Sequence, residues 1–140
     1  MNKKFKILTN FIKDMSSETP DVESYLFVKD NISKYHLNIN IASKPLKNKM
    51  VEVSTILNFE DKNLNEKKSN FEFVYISIIK IDENVKDSKE IKKIIICDLQ
   101  NVIYPKIEKI FLNLLNDSGF PGIKIEKKID FNKLYNERIN

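Results

Sequence analysis

Between Lys34 and Ile41 every second side chain is apolar: Tyr35, Leu37, Ile39 and Ile41 alternate with Lys34, His36, Asn38 and Asn40. A period of two is that of a β-strand, and it places one face in a core and the other in water. Three more segments share the period. In the first, Phe5, Ile7, Thr9 and Phe11 are expected to face one way and Lys6, Leu8, Asn10 and Ile12 the other. After turn residues at Lys44-Pro45 and Lys47-Asn48, Val51, Val53, Thr55, Leu57 and Phe59 share a face. Beyond a polar loop over 61–70, Phe71–Ile81 sets Phe73, Tyr75, Ile79 and Ile81 opposite Val74, Ile76 and Ile78. That strand is apolar on both sides, which predicts that both are covered.

The period then becomes helical. Asp87 followed by Glu90 has the spacing of a capping box and opens a short helix through Ile91, Ile94 and Ile95. Pro105 suits the first turn of a second helix, where its missing N–H costs nothing. Ile107, Ile110, Phe111, Leu114 and Leu115 follow at helical spacing and fill an arc of about 140°, with Leu112 on its margin. Such a stripe is broad for a helix lying on one small sheet; it is either all core or partly a partner's surface. Gly119 is placed for a left-handed cap, Phe120-Pro121-Gly122 for a turn, and Asp130 for the N-cap of a last helix carrying Phe131, Leu134 and Tyr135.

Consecutive strands followed by helices make an α+β fold: a four-stranded antiparallel sheet, a long helix packed on one face and a short C-terminal helix, in a single domain over residues 1–140. The long acidic connection from Met15 to Ser33 is the exception; a connection of that length is functional or disordered, and this one carries Tyr25-Leu26-Phe27-Val28. Apolar runs such as Ile94–Cys97 stop at four residues, against the ~18 that span a bilayer, so no membrane insertion is expected. Thr9-Asn10 interrupts any signal-peptide core, which with the lone Cys97 predicts a reducing, cytoplasmic setting.

Two glycines exclude a P-loop or dinucleotide fingerprint, and a single His and a single Cys leave no ordinary zinc cluster or triad. His36 reads as a solvated strand residue and Cys97 as a small buried hydrophobe. The net charge of +4 is unevenly spread: residues 14–30 carry Asp14, Glu18, Asp21, Glu23 and Asp30 against Lys29 alone. Of the 24 basic residues 23 are Lys, with Arg138 the exception, which favours a solvated Lys surface over a nucleic-acid face.

Three stretches together resemble the SecB family of protein-export chaperones. They are Phe11-Ile12-Lys13-Asp14-Met15-Ser16-Ser17-Glu18-Thr19-Pro20, then Val102-Ile103-Tyr104-Pro105, then Gly119-Phe120-Pro121-Gly122-Ile123-Lys124-Ile125 with Ile129–Tyr135. The resemblance implies a homotetramer built as a dimer of dimers, with no catalysis, nucleotide or other cofactor. It implies capture of unfolded secretory precursor proteins in an apolar groove and delivery to the SecA motor. By the same analogy Tyr25, Phe27, Leu134 and Tyr135 would contact clients and Asp14 and Glu18 would dock SecA. Ile107, Phe111, Leu112 and Leu115 are the candidates for the subunit interface.

The chain departs from the family in its basic charge, in Ser17 for an aromatic, in Lys128 for a proline before the last helix, and in Ile78-Ile79-Lys80 for a Gly-rich spot. The family's acidic C-terminal tail is expected to be lacking after Asn140. Two other readings stand beside the export chaperone: a SecB-like chaperone of a toxin–antitoxin system, and a Lys-rich adaptor for nucleic acid.

Overall fold

The computed structural model describes residues 4–61, 68–124 and 129–139. Ile125 and Lys128, like residues 1–3, part of the polar loop and the side chain of Ile139, lie outside the described residues. Strands β1 (Phe5–Glu18), β2 (His36–Pro45), β3 (Met50–Glu60) and β4 (Asn70–Ile81) form one antiparallel sheet in the order β1-β4-β3-β2. Its edges are therefore β1 and β2. Consecutive strands β2, β3 and β4 pair by short connections, whereas β1 reaches β4 through the crossover.

The alternation of β3 is realised in full: Val51, Val53, Thr55, Leu57 and Phe59 are buried and the residues between them half-buried. In β1 the pattern fails. The strand runs on to Glu18, and its register against β4 shifts between Ile7 and Thr9 and again between Ile12 and Asp14. Each bulge inserts a residue and reverses the side on which later side chains emerge. Thr9 and Phe11 therefore pair with Ile78 and Ile76, away from Phe5 and Ile7, which pair with Ile81 and Ile79.

The crossover is ordered rather than an open loop. Helix α1 (Val22–Asp30) is capped by Asp21, whose Oδ1 accepts from Ser24 N at 2.7 Å, with Glu23 favourably placed in the first turn. Its face is split: Ser24 and Val28 are buried, while Val22, Leu26 and Phe27 are exposed.

Helices α2 (Ser88–Lys93) and α3 (Leu99–Asp117) join through a π-turn at Ile94–Asp98 into one helical run. Asp87 caps it by accepting from Lys89 N, but Glu90 does not close a capping box; it pairs with Lys4 at 2.7 Å. Pro105 lies inside α3, not in its first turn. A mid-helix proline costs about 3 kcal/mol, but Leu99, Ile103 and Tyr104 around it are buried, each contributing ~1.5–3 kcal/mol. Burial prevails and the helix continues. Gly119, at φ +98°, stops it as expected. Asp130 caps α4 (Phe131–Ile139) by accepting from Lys133 N at 3.1 Å.

These helices cover the face of the sheet that carries Phe71, Phe73, Tyr75, Ile79 and Ile81, and among the described residues no helix lies over the other face, contrary to the expectation for β4. On that open face Ile76 is still buried, between its partners Phe11 and Ser54, and Val74 and Ile78 are half-buried. Ile107, Phe111 and Leu115 are 0%, 0% and 1% exposed, so the broad stripe is mostly this chain's own core and these three residues are closed to any partner. Leu112 stays partly exposed. Among the described residues no helix is long and apolar enough to cross a membrane.

Candidate functional site

Past the end of α3 the first half of β2 loses its helical cover, and a groove of about 820 Å³ opens there. Its apolar wall comes from three separate parts of the chain: Ile32 and Tyr35 at the end of the crossover, Leu37 and Phe59 on β2 and β3, and Ile123, Ile129 and Leu134 beyond α3. Ser33, His36, Lys124, Asp130, Lys133 and Glu137 form a polar rim. This is the composition of a binding cleft: apolar area for affinity, a few polar groups at the margin.

The floor is rigid. The Tyr35 ring lies 5.2 Å from Phe59 and 6.3 Å from Phe71, and its hydroxyl donates to Ser69 O at 2.6 Å. Burial pushes that hydroxyl up to about 12, so it remains a neutral donor. Tyr104 is likewise pushed up to about 12 by burial and packs edge-on against Phe131, 5.4 Å away, at the base of α4. Cys97 donates to Asn132 Oδ1 at 2.8 Å; burial raises its thiol, which is a packing group here and no nucleophile.

The four residues singled out for client contact separate. Leu134 lines the groove. Tyr25 serves as an anchor: its hydroxyl donates to Gly119 O at 2.6 Å and its ring sits 5.1 Å from Phe120, tying α1 to the end of α3. Phe27, 45% exposed, stands on the outer face of α1. Tyr135 turns towards α2, donating to Lys89 O at 3.2 Å. Sequence reasoning missed Ile32, Tyr35, Leu37 and Phe59 as lining residues. Strand alternation had marked Tyr35, Leu37 and Phe59 as buried, and an inward strand residue at an uncovered sheet end is the signal that was available.

A second surface lies on the open face. The register places Asp14 beside Val74, Ser16 beside Glu72 and Glu18 beside Asn70. Glu72 therefore joins Asp14 and Glu18 in one carboxylate group, all three exposed. At the far end of the same face Lys6 pairs with Lys80. A net basic chain thus carries a locally acidic patch, with like charges concentrated by the pairing of distant segments.

Comparison with known proteins agrees with this architecture. The SecB family, described as preprotein translocase subunit SecB, matches residues 1–140. The Pelagibacter ubique protein provisionally named protein-export protein SecB is 61% identical over 140 residues, covering the whole of both chains. Protein-export protein SecB of Bartonella bacilliformis is 26% identical over 135 residues, 96% of this chain and 83% of its own. Among solved structures, a SecB-like chaperone of Mycobacterium tuberculosis, in complex with a peptide from an antitoxin, superposes with a TM-score of 0.62. The identity is 12%, with 89% of this chain and 91% of that one covered, a likeness of fold.

Proposed function

This chain belongs to the SecB family of protein-export chaperones, and from that premise we propose that it is an ATP-independent holdase acting in the cytoplasm. It captures unfolded secretory precursors and passes them to the SecA motor. One observation carries the reading: the apolar groove beside edge strand β2, with Leu37 on both. Unfolded clients share only apolar side chains and unpaired backbone, and a groove beside an edge strand meets both. Each buried client side chain of Leu or Phe size contributes ~1.5–3 kcal/mol before ordering costs, so a few contacts suffice without sequence specificity.

The functional unit is a homotetramer, a dimer of dimers. In support, β1 is a 14-residue edge strand that leaves Leu8, Phe11, Ile12 and Met15 more than 40% exposed. An apolar edge of that length invites pairing with another chain. On α3 the candidates for contact between dimers are Leu112 and the 60%-exposed Val102. The carboxylates Asp14, Glu18 and Glu72 supply the docking patch for SecA.

The test is refolding of a slow-folding precursor with the protein present and nucleotide absent. Arrest is expected, and Phe27→Ala with Leu134→Ala should relieve it while the double variant stays folded. Unhindered refolding beside the wild-type protein would sink the reading.

A further inference from the structure

At one point the outer edge of β2 is already engaged by this chain's own C-terminal helix. Leu46 N donates to Met50 O at 2.8 Å, which sets the phase of the β2–β3 ladder. Even-numbered residues of β2 bond inward to β3, and Leu37, Ile39, Ile41 and Ser43 turn their N–H and C=O groups outward. Pro45 has the same phase and, lacking an N–H, loses nothing there. Onto this edge α4 places Arg138, the chain's single arginine. Its Nη1 donates to Ile41 O at 2.6 Å and its Nη2 to Asn40 Oδ1 at 2.7 Å. Ile41 lies on the covered face and Asn40 on the open one, so the guanidinium wraps the edge. The planar guanidinium reaches the two acceptors through two separate nitrogens, a fork that a lysine's single ammonium nitrogen does not reproduce. Leu37, four residues earlier on the same edge, lines the groove, and Lys133, Leu134 and Glu137 of α4 form its opposite wall.

We infer that the outward edge of β2 is a strand-addition site for an extended polypeptide, and that Arg138 is the latch competing for it. This rests on the groove reading above. At rest the latch keeps an exposed edge from indiscriminate pairing. A segment seated in the groove by its apolar side chains reaches its full backbone pairing only when its amides replace the guanidinium at Ile41 O. The latched state lowers apparent affinity by the fraction of molecules that are unlatched.

Binding of labelled, reduced and carboxymethylated α-lactalbumin, a chain unable to fold, tests this on the full-length protein. Arg138→Ala should tighten binding about threefold to tenfold, the scale of one ordinary net hydrogen bond, since the side chain is partly exposed. Arg138→Lys and Asn40→Ala, each sparing part of the contact, should fall between. A short peptide of alternating Leu and Thr should show the same gain, and its copy with every second amide N-methylated should not. Equal or weaker binding by Arg138→Ala, with wild type binding normally and the variant's helix content intact, overturns the latch. A gain preserved with the N-methylated peptide overturns strand addition. Absence of binding by the wild-type protein would instead overturn the groove reading itself.

Discussion

Gly119→Ala probes the joint on which the crossover depends. Gly119 has φ +98°, and a Cβ built there would lie 2.6 Å from Tyr25 Cε1 and 3.1 Å from both Cζ and Oη. The backbone share of the cost is roughly 1–3 kcal/mol for a non-glycine residue in that region. The contact share arises because the ring must swing away, giving up the 2.6 Å bond from Tyr25 to Gly119 O and its packing on Phe120. One such bond is worth about 1 kcal/mol, so the total is about 2–4 kcal/mol. Gly122 is the control: it has φ +80° and nothing within 4 Å of an added Cβ, so Gly122→Ala bears the backbone share alone. Urea unfolding followed by circular dichroism measures both, and a domain of this size loses roughly 3–5 °C in Tm per kcal/mol. Combined with Tyr25→Ala, Gly119→Ala should cost only its backbone share, a coupling of about 1 kcal/mol or more. If Gly119→Ala costs no more than Gly122→Ala, or the two changes at 25 and 119 simply add, Tyr25 does not hold the joint.

Further outcomes follow from the surfaces and the buried tyrosines. Phe11→Asp with Met15→Asp on β1 should lower the mass seen by light scattering at micromolar concentration. A wild-type mass near the 16.5 kDa monomer would refute the assembly. Asp14→Lys with Glu18→Lys, and more strongly with Glu72→Lys, should abolish SecA binding while polypeptide capture persists; tight, salt-insensitive SecA binding by the triple variant would show that the carboxylates take no part. Tyr35 and Tyr104 are pushed from 10.0 up to about 12, so the unfolded chain releases their protons first. Their contribution to stability is complete below pH 10 and is lost as pH rises towards 12. Tm should fall across that window, and Tyr35→Phe should flatten the fall.

Where a feature depends on neighbours in the chain, it was legible in the residues. The alternation of Tyr35–Ile41 and Val51–Phe59 produced β2 and β3, because a period of two admits one buried face. Asp87, Asp130 and Gly119 marked helix ends, because caps are made within three or four residues. The family was legible as well, since its motifs are local and keep their order. Three-dimensional packing decided the rest. The bulge between Ile7 and Thr9 moved Thr9 and Phe11 across the sheet, a choice made by pairing with β4 rather than by composition. Pro105 stayed mid-helix because burial around it outweighed its cost. Ile107, Phe111 and Leu115 look the same in sequence whether a partner or their own sheet covers them, and only the fold showed that their own sheet does. The groove draws its wall from three separated segments, and Arg138 meets Ile41 across 97 residues of chain. Contacts at such separations leave no periodic trace, because nothing in the local pattern records which surface will later cover it.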